Sequence, residues 1–206
     1  MGPHLVEAFN REGADVISDH RDLTHNKAAD NLAKEVGDID VLVVNLSAER
    51  PNVTATEITD NQITTLFEEM VYPLFRIGRS VLPQMIARGS GKIIVIGSAS
   101  ALRGFSKSSA YAAARGAQLS WVKATGVEMA AHNVQVNAIA QIFVENPEYF
   151  GVEYQQTDEF KERIAQVPAG RLGTGSEAAS VALFLASENC NFIIGQAIPC
   201  AGGWAT

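Results

Sequence analysis

The stretch GKIIVIGS, residues 91–98, constrains the fold more than any other. Ile93, Ile94, Val95 and Ile96 follow one another with no polar alternation. A strand with one wet face alternates, so this run reads as a strand covered on both faces, the habit of a parallel sheet. DVLVVN (40–45) and VQVNAIA (134–140) have the same character, and QAIPC (196–200) reads as a last short strand. Helical patterns separate them. HLVEAFNREGA ends at the helix stop Gly13, and NKAADNLAKEVG (26–37) is amphipathic. NQITTLFEEMVYPLFRIGRSVLPQMIARG (61–89) is long, with Pro73 as a kink and Gly89 as its end. SSAYAAARGAQLSWVKATGVEMAAHN (108–133) is a second long helix, and SEAASVALFLAS (176–187) a third opened by a Ser cap. DVISDH (15–20) reads as a strand between the first two helices. Strands alternating with helices predict a doubly wound α/β sheet, in which ligands sit beyond the carboxyl ends of the strands. Asn45, Ser98 and residues 140–144 lie at three such ends.

At 206 residues, with no internal repeat or low-complexity linker, the chain suits a single domain spanning 1–206. Apolar residues make up 47% and charged residues 19%, a globular balance. A net charge of −7 argues against nucleic acid or an anionic membrane surface as the main partner. No run approaches the about 18 apolar residues of a membrane span, and none resembles a signal peptide. Two cysteines, Cys190 and Cys200, suit a reducing cytoplasm. His4, His20, His25 and His132 lack metal-ligand spacing, so no metal site is expected.

The chemistry sits on residues 98–115. Tyr111 follows Ser98 by thirteen residues and Arg115 follows Tyr111 by four, one helical turn on the same face. An ordinary tyrosine is a poor base at neutral pH, but a neighbouring guanidinium favours its phenolate. Arginine never surrenders its proton, so its field persists at high pH. Ser98 can hold a substrate oxygen against the tyrosine. The set suits removal of a proton from an alcohol, or its return to an alkoxide.

These residues resemble the short-chain dehydrogenase/reductase superfamily, and the resemblance covers nearly the whole chain. GDIDVLVVNLS, RSVLPQM, GKIIVIGSAS, VQVNAIA and EAASVALFLASENCNFIIGQAIPCAGG match its landmarks in order. It implies a Rossmann-like sheet. Ser-Tyr-Arg in place of Ser-Tyr-Lys resembles the halohydrin dehalogenases within it, as do GSASALRG, AYAAARGAQ, NAIAQIF and NPEYFG. That subfamily needs no cofactor; it closes vicinal halohydrins to epoxides and opens epoxides with small anions. The resemblance implies Ser98, Tyr111 and Arg115 as catalytic residues. It places a halide pocket where a nicotinamide would lie, with the backbone of Gln141, Phe143 and Val144 as anion nest. Ser100, Phe105, Ile142, Tyr149 and Phe150 are implied as substrate-pocket residues, while aromatic packing under a long loop is the alternative for Phe143, Tyr149, Phe150 and Tyr154. Helices 61–88 and 109–132 resemble those that pair subunits, implying a homotetramer. Trp204 reads as packing or a subunit contact.

The rival is an NAD(P)-dependent alcohol dehydrogenase or ketoreductase. Against it stand several departures from the superfamily's nicotinamide-side pattern. Gln141-Ile142 replaces Pro-Gly, Met70 replaces the relay Asn, Ser47 a glycine, and Ala201 an Asp. Side chain in place of glycine crowds a ring. Asp19 lies where an acid binds the adenine ribose, but only 21 residues separate it from Asp40, room for one helix and little else. Asp19 therefore reads as a strand-end cap or salt-bridge partner, and the sheet as abbreviated at this edge. Gly2 stands directly before the first helix, where a strand and turn would be expected, so the first strand is expected to be lacking and the active protein to begin earlier.

Overall fold

Four parallel strands form one sheet in the order β1-β2-β3-β4: β1 (Val41–Val44), β2 (Gly91–Ser98), β3 (Val134–Gln141) and β4 (Ala197–Cys200). The computed structural model describes residues 1–147 and 149–206. In chain order the helices are α1 (Gly2–Arg11), α2 (Ala28–Val36), α3 (Asp60–Leu66), α4 (Tyr72–Arg88), α5 (Ser109–Met129), α6 (Val152–Gln155), α7 (Asp158–Ile164) and α8 (Gly175–Ala186).

Every residue of β2 is buried, as its unbroken apolar run requires. Successive side chains point to opposite faces. Ile93 and Val95 join Val136 and Ala138 under α2, α4 and α5. Ile94 and Ile96 join Ile139 under α1 and α8. Burying each such side chain contributes roughly 1.5–3 kcal/mol. Gly78 lets α4 and α5 approach: a Cβ there would lie 2.5 Å from the Trp121 ring.

The long pattern 61–89 is broken rather than merely bent. Pro73 lacks the N–H owed to the Glu69 carbonyl. The chain absorbs this in a π turn, Phe67–Val71, in which the Tyr72 N–H reaches the Phe67 carbonyl, before α4 resumes. Gly89 closes α4 in the left-handed conformation, at φ 68°. Pro83 sits inside α4 on an exposed face, where its missing bond meets solvent.

Two local expectations are corrected. Residues 15–20 are not a strand: no ladder partner lies beside them among the described residues, and Ile17 is 60% exposed. A strand without a partner cannot satisfy its backbone by pairing. β1 likewise pairs on one side only. The cap of α8 is Thr174, not Ser176. Its hydroxyl accepts the Glu177 N–H while the Glu177 carboxylate accepts the Thr174 N–H.

The register aligns the carboxyl ends that carry the site. Ser98 is level with Gln141, and Gln141 with Cys200.

Candidate active site

Ser98 ends β2 and caps a short 3-10 turn, Ala99–Ala101. Its Oγ lies 2.9 Å from Ser100 Oγ and accepts the Ser100 N–H at 3.2 Å. Ser100 is 3% exposed and does not line the pocket. The sequence assigned it to the substrate pocket; the turn points it back onto Ser98 instead, where it orients the Ser98 hydroxyl.

Tyr111 and Arg115 occupy consecutive turns of α5. Arg115 Nε donates to the Tyr111 hydroxyl oxygen at 3.0 Å. Nη1 of Arg115 donates to the Leu46 carbonyl at 3.0 Å, the Ile96 carbonyl at 3.2 Å and Gln118 Oε1 at 2.9 Å. Gln118 is fully buried and passes its own amide N–H to the Met70 carbonyl, in the π turn, at 2.8 Å. Arg115, 6% exposed, is thus clamped between the ends of two strands and the α3–α4 break. Its planar fork meets acceptors along several directions, which a lysine ammonium on the same stem would present differently. Among the described residues no carboxylate forms an ion pair with Arg115; its partners are the tyrosine oxygen, two backbone carbonyls and an amide oxygen.

A pocket of about 1140 Å³ opens beyond these strand ends. Ser98, Tyr111 and Arg115 converge on its floor, and Gln141, Ile142, Phe143, Val144, Phe105, Tyr149 and Phe150 all line it. Phe143 packs at 6.2 Å from Phe150 and 5.9 Å edge-on to Trp204, and Phe105 lies 6.0 Å from Trp204. The aromatics of the 142–154 segment therefore do both jobs considered for them: they pack on one another and wall the pocket.

The anion nest is narrower than expected. Gln141 is the last residue of β3, paired to β2 and β4, so its backbone serves the sheet. Phe143 adopts φ 53°, a left-handed conformation that costs a bulky residue strain. Residues flanking Val144 bond to Gly173, whereas among the described residues the N–H groups of Phe143 and Val144 have no backbone acceptor. The turn thus leaves two donors at the pocket wall.

Sequence reasoning gave no pocket role to four residues. Trp204 is 3% exposed and lines the pocket, and among the described residues its buried indole N–H has no acceptor. It is a wall as well as a packing residue. Gln118 carried no signal beyond its place three residues after Arg115. Arg50 follows β1, donates to Ser108 Oγ at 2.8 Å and lies 5.3 Å over the Phe105 ring. Burial first, and then the nearby Arg163 charge, lower the pKa of the Arg50 guanidinium below its ordinary value. Arg163 also lines the pocket, held by the Tyr154 hydroxyl at 3.1 Å and Glu159 at 3.6 Å.

A nicotinamide dinucleotide is the group this type of sheet implies, with Asp19 at the position where an acid would meet the adenine ribose. Asp19 is committed to Arg21, at 2.9 Å, and Arg21 continues to Glu35 at 2.7 Å, the salt-bridge alternative foreseen for it. The pairing holds the Asp19 carboxyl below its usual range. Ile142 and Phe143 line the pocket with their side chains, and Nε and Nη1 of Arg115 are engaged by Tyr111 and by backbone carbonyls. Among the described residues no group of three or more His, Cys, Asp or Glu is placed to hold a metal, and no helix is long and apolar enough to cross a membrane.

A family model described as Enoyl-(Acyl carrier protein) reductase matches residues 13–205. The chain is 32% identical over 174 residues to the 3-oxoacyl-(acyl-carrier-protein) reductase of Salmonella typhimurium, covering 84% of this chain and 70% of that one. It is 28% identical over 190 residues to the 2-dehydro-3-deoxy-L-rhamnonate dehydrogenase (NAD(+)) of a Sphingomonas strain, covering 92% and 74%. Among solved structures, one named "Dehalogenation enzyme" superposes with a TM-score of 0.83 at 30% identity, over 100% of this chain and 84% of that one.

Proposed function

The chain belongs to the short-chain dehydrogenase/reductase superfamily, and within it we propose that it is a cofactor-independent halohydrin dehalogenase, a carbon–halide lyase. The observation that carries this reading is the Arg115 clamp, an uncompensated guanidinium fixed on the Tyr111 oxygen beside Ser98. The similarity to a solved protein named for dehalogenation, over the whole chain, supports it.

Ser98, its hydroxyl steadied by Ser100, and Tyr111 bind the substrate hydroxyl. Arg115 Nε holds the Tyr111 oxygen in place, and a charge-assisted hydrogen bond strengthens as its acceptor gains negative charge during the reaction. Tyr111 takes the hydroxyl proton. The alkoxide oxygen bonds to the neighbouring carbon from behind as the carbon–halogen bond breaks. The halide leaves toward the N–H groups of Phe143 and Val144, which have no backbone acceptor among the described residues. Tyr111 then returns its proton to solvent. Holding both ends of an intramolecular displacement in line supplies the rate. In reverse, Tyr111 protonates the opening epoxide oxygen while a small anion attacks.

The exposed apolar side chains Tyr72 and Phe75 on α4 and Val127 on α5 support subunit assembly through helices 61–88 and 109–132, in the homotetramer that the resemblance implies. The names of the curated relatives favour the second reading, an NAD(P)-dependent reductase. Incubation with a simple chlorohydrin separates the two. Chloride release without nucleotide supports the lyase; no release, with NADPH consumed against ketones, supports the reductase.

A further inference from the structure

The pocket departs in sign from the molecule around it. The chain carries 23 acidic and 16 basic side chains. The described residues lining the pocket reverse this balance, with Arg50, Lys107, Arg115 and Arg163 against Glu145 and Glu159. Glu159 is already engaged by Arg163 at 3.6 Å and by the Tyr154 hydroxyl at 3.2 Å. Arg50 is half-buried, and among the described residues no carboxylate lies within ion-pair distance of it. Its contacts are a neutral hydroxyl and the face of Phe105. Arg163 lines the same pocket, and its positive charge lowers the Arg50 pKa. In an acidic protein a partly desolvated arginine beside a second arginine is unfavourable unless an anion joins them. The anchor of Arg50 matters too. Ser108 directly precedes α5, three residues before Tyr111, a rise of about 4.5 Å along the helix axis. Arg50 is therefore anchored at the N-terminus of the helix that carries Tyr111, and both residues line the same pocket.

We propose that the substrate of this site carries its own anionic group, a carboxylate, which Arg50 binds with Arg163 beside it while the halohydrin end lies on Ser98 and Tyr111. This rests on the halohydrin dehalogenase reading for its reaction but not for its binding step. Arg50 is a specificity residue here; it does not touch the reacting atoms. An arginine fork meets a carboxylate with two parallel N–H donors, which gives orientation as well as affinity.

The test compares 4-chloro-3-hydroxybutanoate with its primary amide, nearly equal in size and differing in charge. In both, the C3 oxygen bonds to C4, the C4–Cl bond breaks, chloride leaves, and the C3 hydroxyl proton passes through Tyr111 to solvent. The wild-type protein should prefer the acid in kcat/KM. In Arg50→Gln the acid-to-amide ratio should fall about tenfold or more, mainly through KM, the range for losing a hydrogen bond to a charged partner. Arg50→Lys should recover part of the ratio, and Arg163→Gln should lower it in the same direction. An unchanged ratio, or equal loss on acid and amide, overturns the proposal. So does an Arg50→Gln defect of equal size in azide opening of an uncharged epoxide, because Arg50 would then serve the incoming anion. Calorimetric binding of 3-hydroxybutanoate and 3-hydroxybutanamide gives a readout without turnover. If neither chlorohydrin releases chloride but wild type binds the acid more tightly and Arg50→Gln loses that preference, the reaction assignment fails and this one stands. If the preference is absent in the wild type, this one fails.

Discussion

Gln118→Leu removes the piece that joins Arg115 to the rest of the fold. Gln118 is fully buried; its amide oxygen accepts from Arg115 at 2.9 Å and its amide nitrogen donates to the Met70 carbonyl at 2.8 Å. Leucine is close in volume, so packing is largely kept. What is lost is a hydrogen bond to a charged group, about 1.5–3 kcal/mol, and the partner of a buried carbonyl, about 1–3 kcal/mol. Leucine's extra apolar burial offsets part of this, leaving a net loss of about 2–4 kcal/mol. For a chain of this length that lowers the melting midpoint by about 5–15 °C. Arg115 keeps Leu46, Ile96 and Tyr111 as acceptors, so halide release should fall by about tenfold, well short of the roughly 10²–10⁴ carried by the proton transfer itself. Gln118→Glu makes the complementary test. A carboxylate there pairs with Arg115 and draws its guanidinium away from the Tyr111 oxygen, so halide release should fall below that of Gln118→Leu. The assays are a circular-dichroism melt and halide release. A Gln118→Leu protein melting within about 1 °C of wild type with full activity would refute the clamp, given the stability expected from these bonds.

Gly78→Ala puts a methyl 2.5 Å from the Trp121 ring between α4 and α5, and should cost about 1–3 kcal/mol in chemical denaturation. Glu177 pairs with Arg171 at 2.7 Å and also accepts from the Thr174 N–H, which lowers its carboxyl pKa from 4.5 to about 2. A depressed folded-state value contributes stability above pH 4.5 that fades as pH falls toward about 2, so the melting difference between Glu177→Gln and wild type should be present at about pH 6 and shrink by about pH 3. Trp204 is one of two tryptophans and lines the pocket. Bromide should quench the fluorescence saturably in wild type, and Trp204→Phe should leave only the linear collisional response.

The sheet was legible because its strands are short apolar runs that no wet-faced strand or amphipathic helix accommodates. Ile93–Ile96 announced both their strand and their two-sided burial. The contact between Tyr111 and Arg115 was legible because the two are neighbours on one helix, a relation that spacing alone supplies. The segment 15–20 misled because its composition suits a strand, while strand formation depends on a partner that local sequence does not report. Ser176 was taken for the cap of α8, although Thr174 with Glu177 three residues later was the fuller capping box in the same string. Arg50, Gln118 and Trp204 were missed as pocket or clamp residues for a different reason. Their partners lie far off in sequence: Ser108 for Arg50, Met70 for Gln118, Phe143 and Phe105 for Trp204. Nothing local distinguishes such residues from ordinary surface or core positions. Ser100 shows the converse: resemblance pointed it at substrate, and only the 3-10 turn reveals that it serves Ser98.

The most direct measurement of the central claim is chloride release from a vicinal chlorohydrin by the purified chain, with nucleotides removed and none added, alongside Tyr111→Phe. Tyr111→Phe keeps the ring and removes only the oxygen that Arg115 holds at 3.0 Å. The account predicts stoichiometric chloride and epoxide from the wild-type chain, and a loss of about 10²-fold or more in the variant, the scale of a missing general base. Chloride release that requires NAD(P), or a Tyr111→Phe protein as fast as wild type, would contradict it.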